Sequence, residues 1–379
     1  MMGQHSTVLT SVTSYVSNDN MVTGNSIDGT SSRHIGYACS YLPEEIIMAA
    51  GFVPRRIMPQ TRPAEADAHI HANTCYYVKA LLAAALEGET SQLDGFVVTN
   101  SCDGMRRLYD VWREYVPGVP VFFLDVPKKH DSDAIAFFAS ELRRLAETLE
   151  RQFPNAGVTD ERLEEAIRTC NTIRRQMSEV LTLQKEAAPR VAAPRVRGRD
   201  FFDLTSGAAE LTPSDLRDRI DQFLSKIDEK GCAPRGPRIV LSGNMINRPD
   251  LLTLIEDAGA HVVALDTCFG ARHYDLLVEE NTGDPMLALA TRYLLRSPCP
   301  RMHGLERRFE YLKELVESSG AAGVIYSTVK FCDSHLYDLP LLEEHFRQAG
   351  IPFLWLENDY EWTGLGQLRT RVEAFLEML

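Results

Sequence analysis

Two stretches of this chain repeat one pattern, and that repeat limits the folds open to it more than any other feature. DGFVVTNSCDGMRRLYD leading to VPVFFLD (94–125) and AGVIYSTVKFCDSHLYD leading to IPFLWLE (322–357) each run from an apolar strand into Cys-Asp. Each then enters a helix carrying Leu-Tyr-Asp and ends in a buried strand. Strands alternating with helices predict parallel pairing, because a parallel neighbour needs a crossover long enough to hold a helix. A repeat of the whole unit predicts two such sheets. The segments 36–58 and 243–265 are alike as well, each a loop, a Pro-led helix, an Ala-Gly end and a strand.

The rest of the chain is organised around this repeat. Residues 1–32 are rich in Ser, Thr, Asn and Asp without periodicity and read as a flexible tail. Residues 33–150 form the first predicted α/β domain. Within it PEEIIMAAG (43–51) has Pro in a helical first turn and Gly at its end, and strands fall at 52–58, 94–100 and 120–125 around a helix at 104–115. Residues 151–234 read as a helical segment and linker. Leu163, Ile167, Cys170, Ile173, Met177 and Val180 recur at helical spacing, AAPRV occurs twice in 187–196, and Leu216, Ile220, Phe223 and Ile227 mark a further helix. Residues 235–379 form the second α/β domain, with RIVLSG, HVVALD, AAGVIYST and IPFLWLEND as strands. The predicted fold class is therefore α/β, two tandem flavodoxin-like parallel-sheet domains with an additional helical layer.

A formal net charge of −13 argues against a nucleic-acid binder, which needs a basic patch to neutralise phosphates. No run approaches the roughly 18–20 apolar residues of a membrane span. The N-terminus lacks the basic start and apolar run of a signal peptide, so a cytoplasmic location is expected.

In such a compartment the eight cysteines are not expected to pair as disulfides. No Cys-x-x-Cys occurs, which removes a zinc ribbon or thioredoxin motif. Cys102 and Cys332 each follow the C-terminal end of a predicted parallel strand, where ligands bind in open α/β sheets. Backbone N–H groups at a helix start favour a thiolate there. Cys75 opens an amphipathic helix just before the Cys102 strand. Three such thiolates suit a cubane with one open iron, or zinc, since soft sulfur selects either. Buried free cysteines also serve as small hydrophobes.

Several strings resemble one family in that family's order. They are GYACSYLPEEIIMAAGFVP (36–54), NTCYYVK (73–79), TNSCDGMRRLYD (99–110), LDTCFGARHYD (265–275), SPCPRM (297–302), KFCDSHLYDLPLL (330–342) and the last 23 residues from ENDYEWTG. The family is that of the 2-hydroxyacyl-CoA dehydratases and benzoyl-CoA reductases, and the likeness runs from about residue 34 to the C-terminus. It implies a [4Fe–4S] cluster held by Cys75, Cys102 and Cys332, and work alongside a second, related subunit or a second copy of the chain. It also implies a separate ATP-hydrolysing iron–sulfur activator, which injects one electron so that an (R)-2-hydroxyacyl-CoA loses water through a ketyl radical. The chain itself has no G-x-x-x-x-G-K-[ST] loop and no G-x-G-x-x-G, so neither ATP hydrolysis nor a Rossmann-bound NAD is indicated. Some relatives carry a flavin, for which no motif is present.

The same resemblance makes Ser40 and Glu44 candidates for contact with substrate or open iron, whereas helix-dipole complementation also accounts for Glu44 and Glu45. Cys39, Cys268 and Cys299 fall near the cluster or serve structure, Cys170 belongs to a helix core, and Cys232 has no evident role. His69 and His71 read equally as a ligand pair or a loop face. Arg369 and Arg371 could meet CoA phosphates or lie on a helix surface. Competing functions are a benzoyl-CoA reductase-like or double-cubane reductase subunit, a non-catalytic assembly or partner protein, and a zinc-binding structural protein. The absence of cysteine from 76–101 favours a single cubane.

Overall fold

A computed structural model describes residues 33–188, 191–208, 210–227 and 236–379. The predicted tail and Cys232 lie outside these residues. The first half runs β1 (His34–Tyr37), α1 (Glu44–Ala49), β2 (Val53–Arg56), α2 (Tyr76–Leu86), β3 (Gly95–Thr99), α3 (Asp103–Tyr115) and β4 (Val121–Leu124). Two long helices follow, α4 (Ser132–Gln152) and α5 (Asp160–Lys185). A short ribbon, β5 (Ala187–Ala188) with β6 (Val191–Pro194), leads to α6 (Gly198–Ala208) and α7 (Pro213–Ser225). The second half runs β7 (Arg238–Gly243), α8 (Asp250–Asp257), β8 (His261–Asp266), α9 (Ala271–Tyr274), α10 (Pro285–Leu295), α11 (Leu305–Ser319), β9 (Gly323–Val329), α12 (Asp333–Gln348), β10 (Phe353–Asn358) and α13 (Leu365–Leu376).

The two four-stranded sheets share one topology. The first has the order β2-β1-β3-β4 and the second β10-β9-β7-β8, with every neighbouring pair parallel. In the first sheet, the chain leaves β1 toward one edge and returns on the other side of it, so β1 and β3 flank a topological switch point. In the second, β7 and β9 lie side by side at the centre in the same way. Loops diverge at such a point and leave a crevice at the carboxyl ends of the strands.

The central strands are apolar on both faces, as helix-covered parallel strands must be. All residues of β3, β8 and β9 are buried. Gly243 ends β7 at φ +145°, and a Cβ there would run into the Ser327 carbonyl of β9. Only glycine lets the two strands stay paired up to the switch point.

The helical layer is built from α4, α5 and α10. The long helices carry caps that their sequences supply, with Asp131 accepting from the Ala134 N–H and Thr159 from the Arg162 N–H. One apolar core joins the first sheet to α1, α4, α5 and α10 through Ile46, Phe138, Leu142, Ile167, Leu289 and Tyr293. A second core, drawn from both halves, includes Ala38, Val78, Met105, Met245, Phe269, Val329 and Tyr360. This shared core brings the two switch points together.

Two differences from the sequence expectations matter. HIGY, read as the start of a loop, is β1, the inner strand beside the switch point; four residues are too few to show a period. Residues 277–320, which carried no assigned element, contain α10 and α11, whose buried Arg292 and Arg308 interrupt the apolar pattern. Among the described residues no helix is long and apolar enough to cross a membrane.

Candidate functional site

Cys75, Cys102 and Cys332 occupy the same kind of position, the N-cap residues of α2, α3 and α12. Cys102 follows β3 and Cys332 follows β9, each an inner strand of its sheet. The helix starts therefore point three sets of N–H groups at one region, and the first-turn N–H groups of Met105 and His335 favour the thiolates of Cys102 and Cys332.

The three side chains line a chamber of about 100 Å³, together with Ala38, Cys39, Ser40, Asn244 and Met245 from the ends of β1 and β7. Cys268, which follows β8, and Cys299 complete a set in which six of the seven described cysteines face one space. Cys170 is the exception, buried with its Sγ 3.6 Å from Met48 Sδ, as its place on an apolar stripe predicts. The same three N-cap cysteines also line a wider space of about 660 Å³, with His71, Arg107, Lys128, His303, Phe331 and Tyr337. They stand between a mostly apolar chamber and an outer mouth whose wall carries Arg107 and Lys128 together with Asp103, Asp333 and Asp338.

As free thiols in this setting Cys102, Cys268 and Cys332 are hard to ionise. Burial pushes Cys102 up to about 12 and Cys268 up to about 11. Cys332 is raised well above its ordinary value, first by its hydrogen bond with Cys75 and then by burial. Cys39 behaves differently. Burial opposes its ionisation, but the Tyr41 N–H, Thr99, Arg301 and Ser101 outweigh it and leave the thiol below its usual range.

Of the chamber residues that were not among the sequence candidates, three polar ones brace its wall. Asn244 Oδ1 accepts from the Val329 N–H at 3.0 Å, tying the ends of β7 and β9, and its side chain also meets Cys332. Arg301 donates to the Ser101 carbonyl at 3.2 Å and the Val126 carbonyl at 2.7 Å, while its guanidinium lies 4.6 Å from the Tyr41 ring. Arg56, stacked on Phe269 at 3.6 Å, donates to the Ala38 carbonyl and leaves Nη2 unpaired in the interior. Only the SPCPRM string marked any of them in the sequence.

Behind the chamber lies a buried polar frame. Asp266 accepts from Ser242 at 2.7 Å and pairs with Arg272 at 3.0 Å, and Tyr326 links Arg308 to His335 at 3.1 and 2.8 Å. His335, a chamber wall residue, is held neutral by burial.

Ser40 and Glu44 part company. Ser40 lines the chamber, and its Oγ accepts from Arg296 Nη2 at 2.8 Å. Glu44 lines a separate cavity of about 60 Å³ with Met48, Cys170 and His273, where Tyr37 donates to its carboxylate and His273 Nε2 lies 3.4 Å away. Arg56 lines both spaces. Glu45 is structural, paired at 2.6 Å with Arg174 and accepting from Tyr293 at 2.9 Å. His71 reaches the outer mouth, whereas the His69 ring packs on Tyr115 at 4.5 Å. Arg369 pairs with Glu373 and Arg371 donates to the Trp355 carbonyl, both on the exposed face of α13.

Residues 39–379 match the family described as 2-hydroxyglutaryl-CoA dehydratase, D-component. The chain belongs to that family. Among its relatives, the (R)-phenyllactyl-CoA dehydratase beta subunit of Clostridium sporogenes is 28% identical over 359 residues, 93% of each chain. A benzoyl-CoA reductase subunit of Thauera aromatica is 26% identical over 335 residues, 86% of this chain and 85% of the relative. The beta subunit of (R)-2-hydroxyglutaryl-CoA dehydratase from Acidaminococcus fermentans is 24% identical over 374 residues, 92% of each. The family match starts at Cys39, in the loop that follows β1, and takes in every cysteine of the chamber.

Proposed function

We propose that this chain is the iron–sulfur subunit of a 2-hydroxyacyl-CoA dehydratase, with one [4Fe–4S] cluster held by Cys75, Cys102 and Cys332. The observation that carries the reading is their common placement as N-cap residues around one chamber at two facing switch points. The donor set fits the group. All three ligands are sulfur, three backbone helix starts compensate thiolate charge, and the walls are apolar.

When bound, the cluster supplies a low-potential electron site and an open, Lewis-acidic iron. The residues do the rest. The three thiolates fix its position, and the apolar wall keeps water away from it. The Ser40 hydroxyl, its lone pair engaged by Arg296, retains an O–H to donate to a group entering the chamber. Lys128 at the outer mouth suits the anionic part of a CoA thioester, as does Arg107, which shares its charge with Asp103 and Asp110. In this reading an (R)-2-hydroxyacyl-CoA loses water through a ketyl radical, after ATP-driven one-electron activation by a separate protein. The relatives, each named as one subunit of its enzyme, support a second, related subunit as partner.

The likeness to a benzoyl-CoA reductase subunit favours a second reading, reduction of an aromatic CoA ester. Anaerobic purification with a co-expressed partner subunit tests both. About four irons and four sulfides per chain, with water elimination from 2-hydroxyacyl-CoA esters given activator and ATP, is the expected result. Reduction of an aryl-CoA without dehydration would move the assignment to the second reading. No iron after reconstitution, or one tightly held zinc, would overturn both.

A further inference from the structure

Residues 329–332 form a tight turn closed by the Cys332 N–H donating to the Val329 carbonyl at 3.1 Å. Its third residue, Phe331, has φ +61°. That is the left-handed region which turns give to Gly or Asn, and which a bulky side chain enters only against strain. The topology does not demand it. The equivalent passage from β3 into α3 has the same length, three residues between strand and helix, and none of them has a positive φ.

What the strained turn achieves is the placement of a ring. Phe331 meets Tyr76 edge-on at 5.5 Å, and the Tyr76 N–H donates to the Lys330 carbonyl at 3.2 Å. The Lys330 ammonium lies 5.4 Å from the Phe331 ring centre and 5.8 Å from that of Tyr76. Tyr76 follows Cys75 and Phe331 precedes Cys332, so the ring pair clasps the two cysteine-bearing turns. Both rings are half-buried, and Phe331 lines the outer mouth.

We propose that Phe331 is a positioning residue for the cysteine site. Its ring, pressed against Tyr76, holds the Cys332 turn beside Cys75 and closes that edge of the chamber to water. The inference deepens the proposed function, but the clasp acts on the thiols whether or not iron is bound.

The test uses the full chain with Phe331→Gly, which keeps the left-handed turn and removes the ring. Tyr76→Leu removes the partner without touching the turn, and Phe331→Tyr restores the ring. In metal-free chain, iodoacetamide labelling of Cys75 and Cys332 followed by peptide mass spectrometry should accelerate roughly tenfold in Phe331→Gly and Tyr76→Leu, the scale of one lost aromatic pair. Phe331→Tyr should label at the native rate, and buried Cys170 should be unchanged in all three. In reconstituted chain, iron release to a chelator should accelerate in the same order. Thermal melting of Phe331→Gly should stay at or above the native value, because glycine accepts the left-handed turn. Native labelling rates in both ring-deleting variants would overturn the proposal. A native chain that takes up no iron would defeat the cluster reading, and the labelling rates would still decide this one.

Discussion

Cys102 and Cys332 occupy matching places in the two sheets: each is the N-cap of the helix that follows an inner strand beside the switch point. Two switch points facing each other thus deliver two thiols to one chamber, and Cys75, on the helix entering β3, supplies the third. No flexible loop is needed to bring them together, because each thiol sits on a helix terminus anchored by a sheet.

The first prediction concerns the thiols. Under the proposed cluster, replacing Cys75, Cys102 or Cys332 singly by Ser should abolish or sharply lower iron and sulfide retained per chain, since hydroxyls are poor ligands for iron–sulfur groups. Cys170→Ser is the control, because that residue packs away from the chamber. Unchanged iron in any of the three variants would remove that residue from the ligand set. Circular dichroism on each variant separates cluster loss from unfolding.

Arg301 is expected to matter for a different reason. Its planar guanidinium bridges the Ser101 and Val126 carbonyls while lying over Tyr41, a combination that a lysine cannot reproduce. Arg301→Lys should destabilise the chain by about 1–3 kcal/mol in urea unfolding, the scale of buried carbonyls left without donors. Unfolding curves that superimpose on the native ones would rule out this bridging role.

Glu45 and Arg174 form a buried pair, 0% and 5% exposed, that ties α1 to α5. Removing one partner leaves an uncompensated charge. Arg174→Met should therefore cost about 3–5 kcal/mol, and the double variant Glu45→Gln with Arg174→Met should recover part of that loss. Equilibrium unfolding of the native chain, both single variants and the double variant measures the coupling as a double-mutant cycle. Simple additivity would mean that the pair is not energetically linked.

His273 should make the fold sensitive to acid. Burial lowers its pKa from 6.5 to about 4, against the pull of Glu44. The unfolded chain then binds a proton more readily than the native one, so its contribution is complete above pH 6.5 and is lost as pH falls through about 4. A fall from 6.5 to about 4 corresponds to about 3 kcal/mol. The stability lost between neutral pH and pH 4 should be smaller for His273→Gln than for the native chain. Parallel pH profiles for the two proteins would contradict the assignment.

The fold class was legible in the sequence because its signals are local. Apolar strands such as GFVVT and GVIYSTV, bounded by Cys-Asp helix starts, repeat closely enough to predict two parallel sheets. Cys102 and Cys332 could be singled out for the same reason, since a strand end and a helix start define their position without knowledge of the partner sheet, whereas Cys75 joined them through its helix start and the family resemblance. Glu44 and Glu45 show the limit. Adjacent in one helical turn, they have the same sequence context, yet one faces Tyr37 and His273 while the other is sealed against Arg174 and Tyr293. A rotation of about 100° around the helix axis separates their fates, and only packing fixes it.

What the sequence by itself determined is the kind of element at each position, the doubled sheet and the cysteines at the strand ends, all consequences of periodicity and local backbone preference. The tertiary structure alone decided that Cys39, Cys268 and Cys299 join the same chamber, that Arg56 and Arg301 brace it, and that Ser40 faces it while Glu44 does not. These depend on how two sheets meet across a shared core, and the free energy of that meeting is spread over residues far apart in the chain, where no local pattern records it.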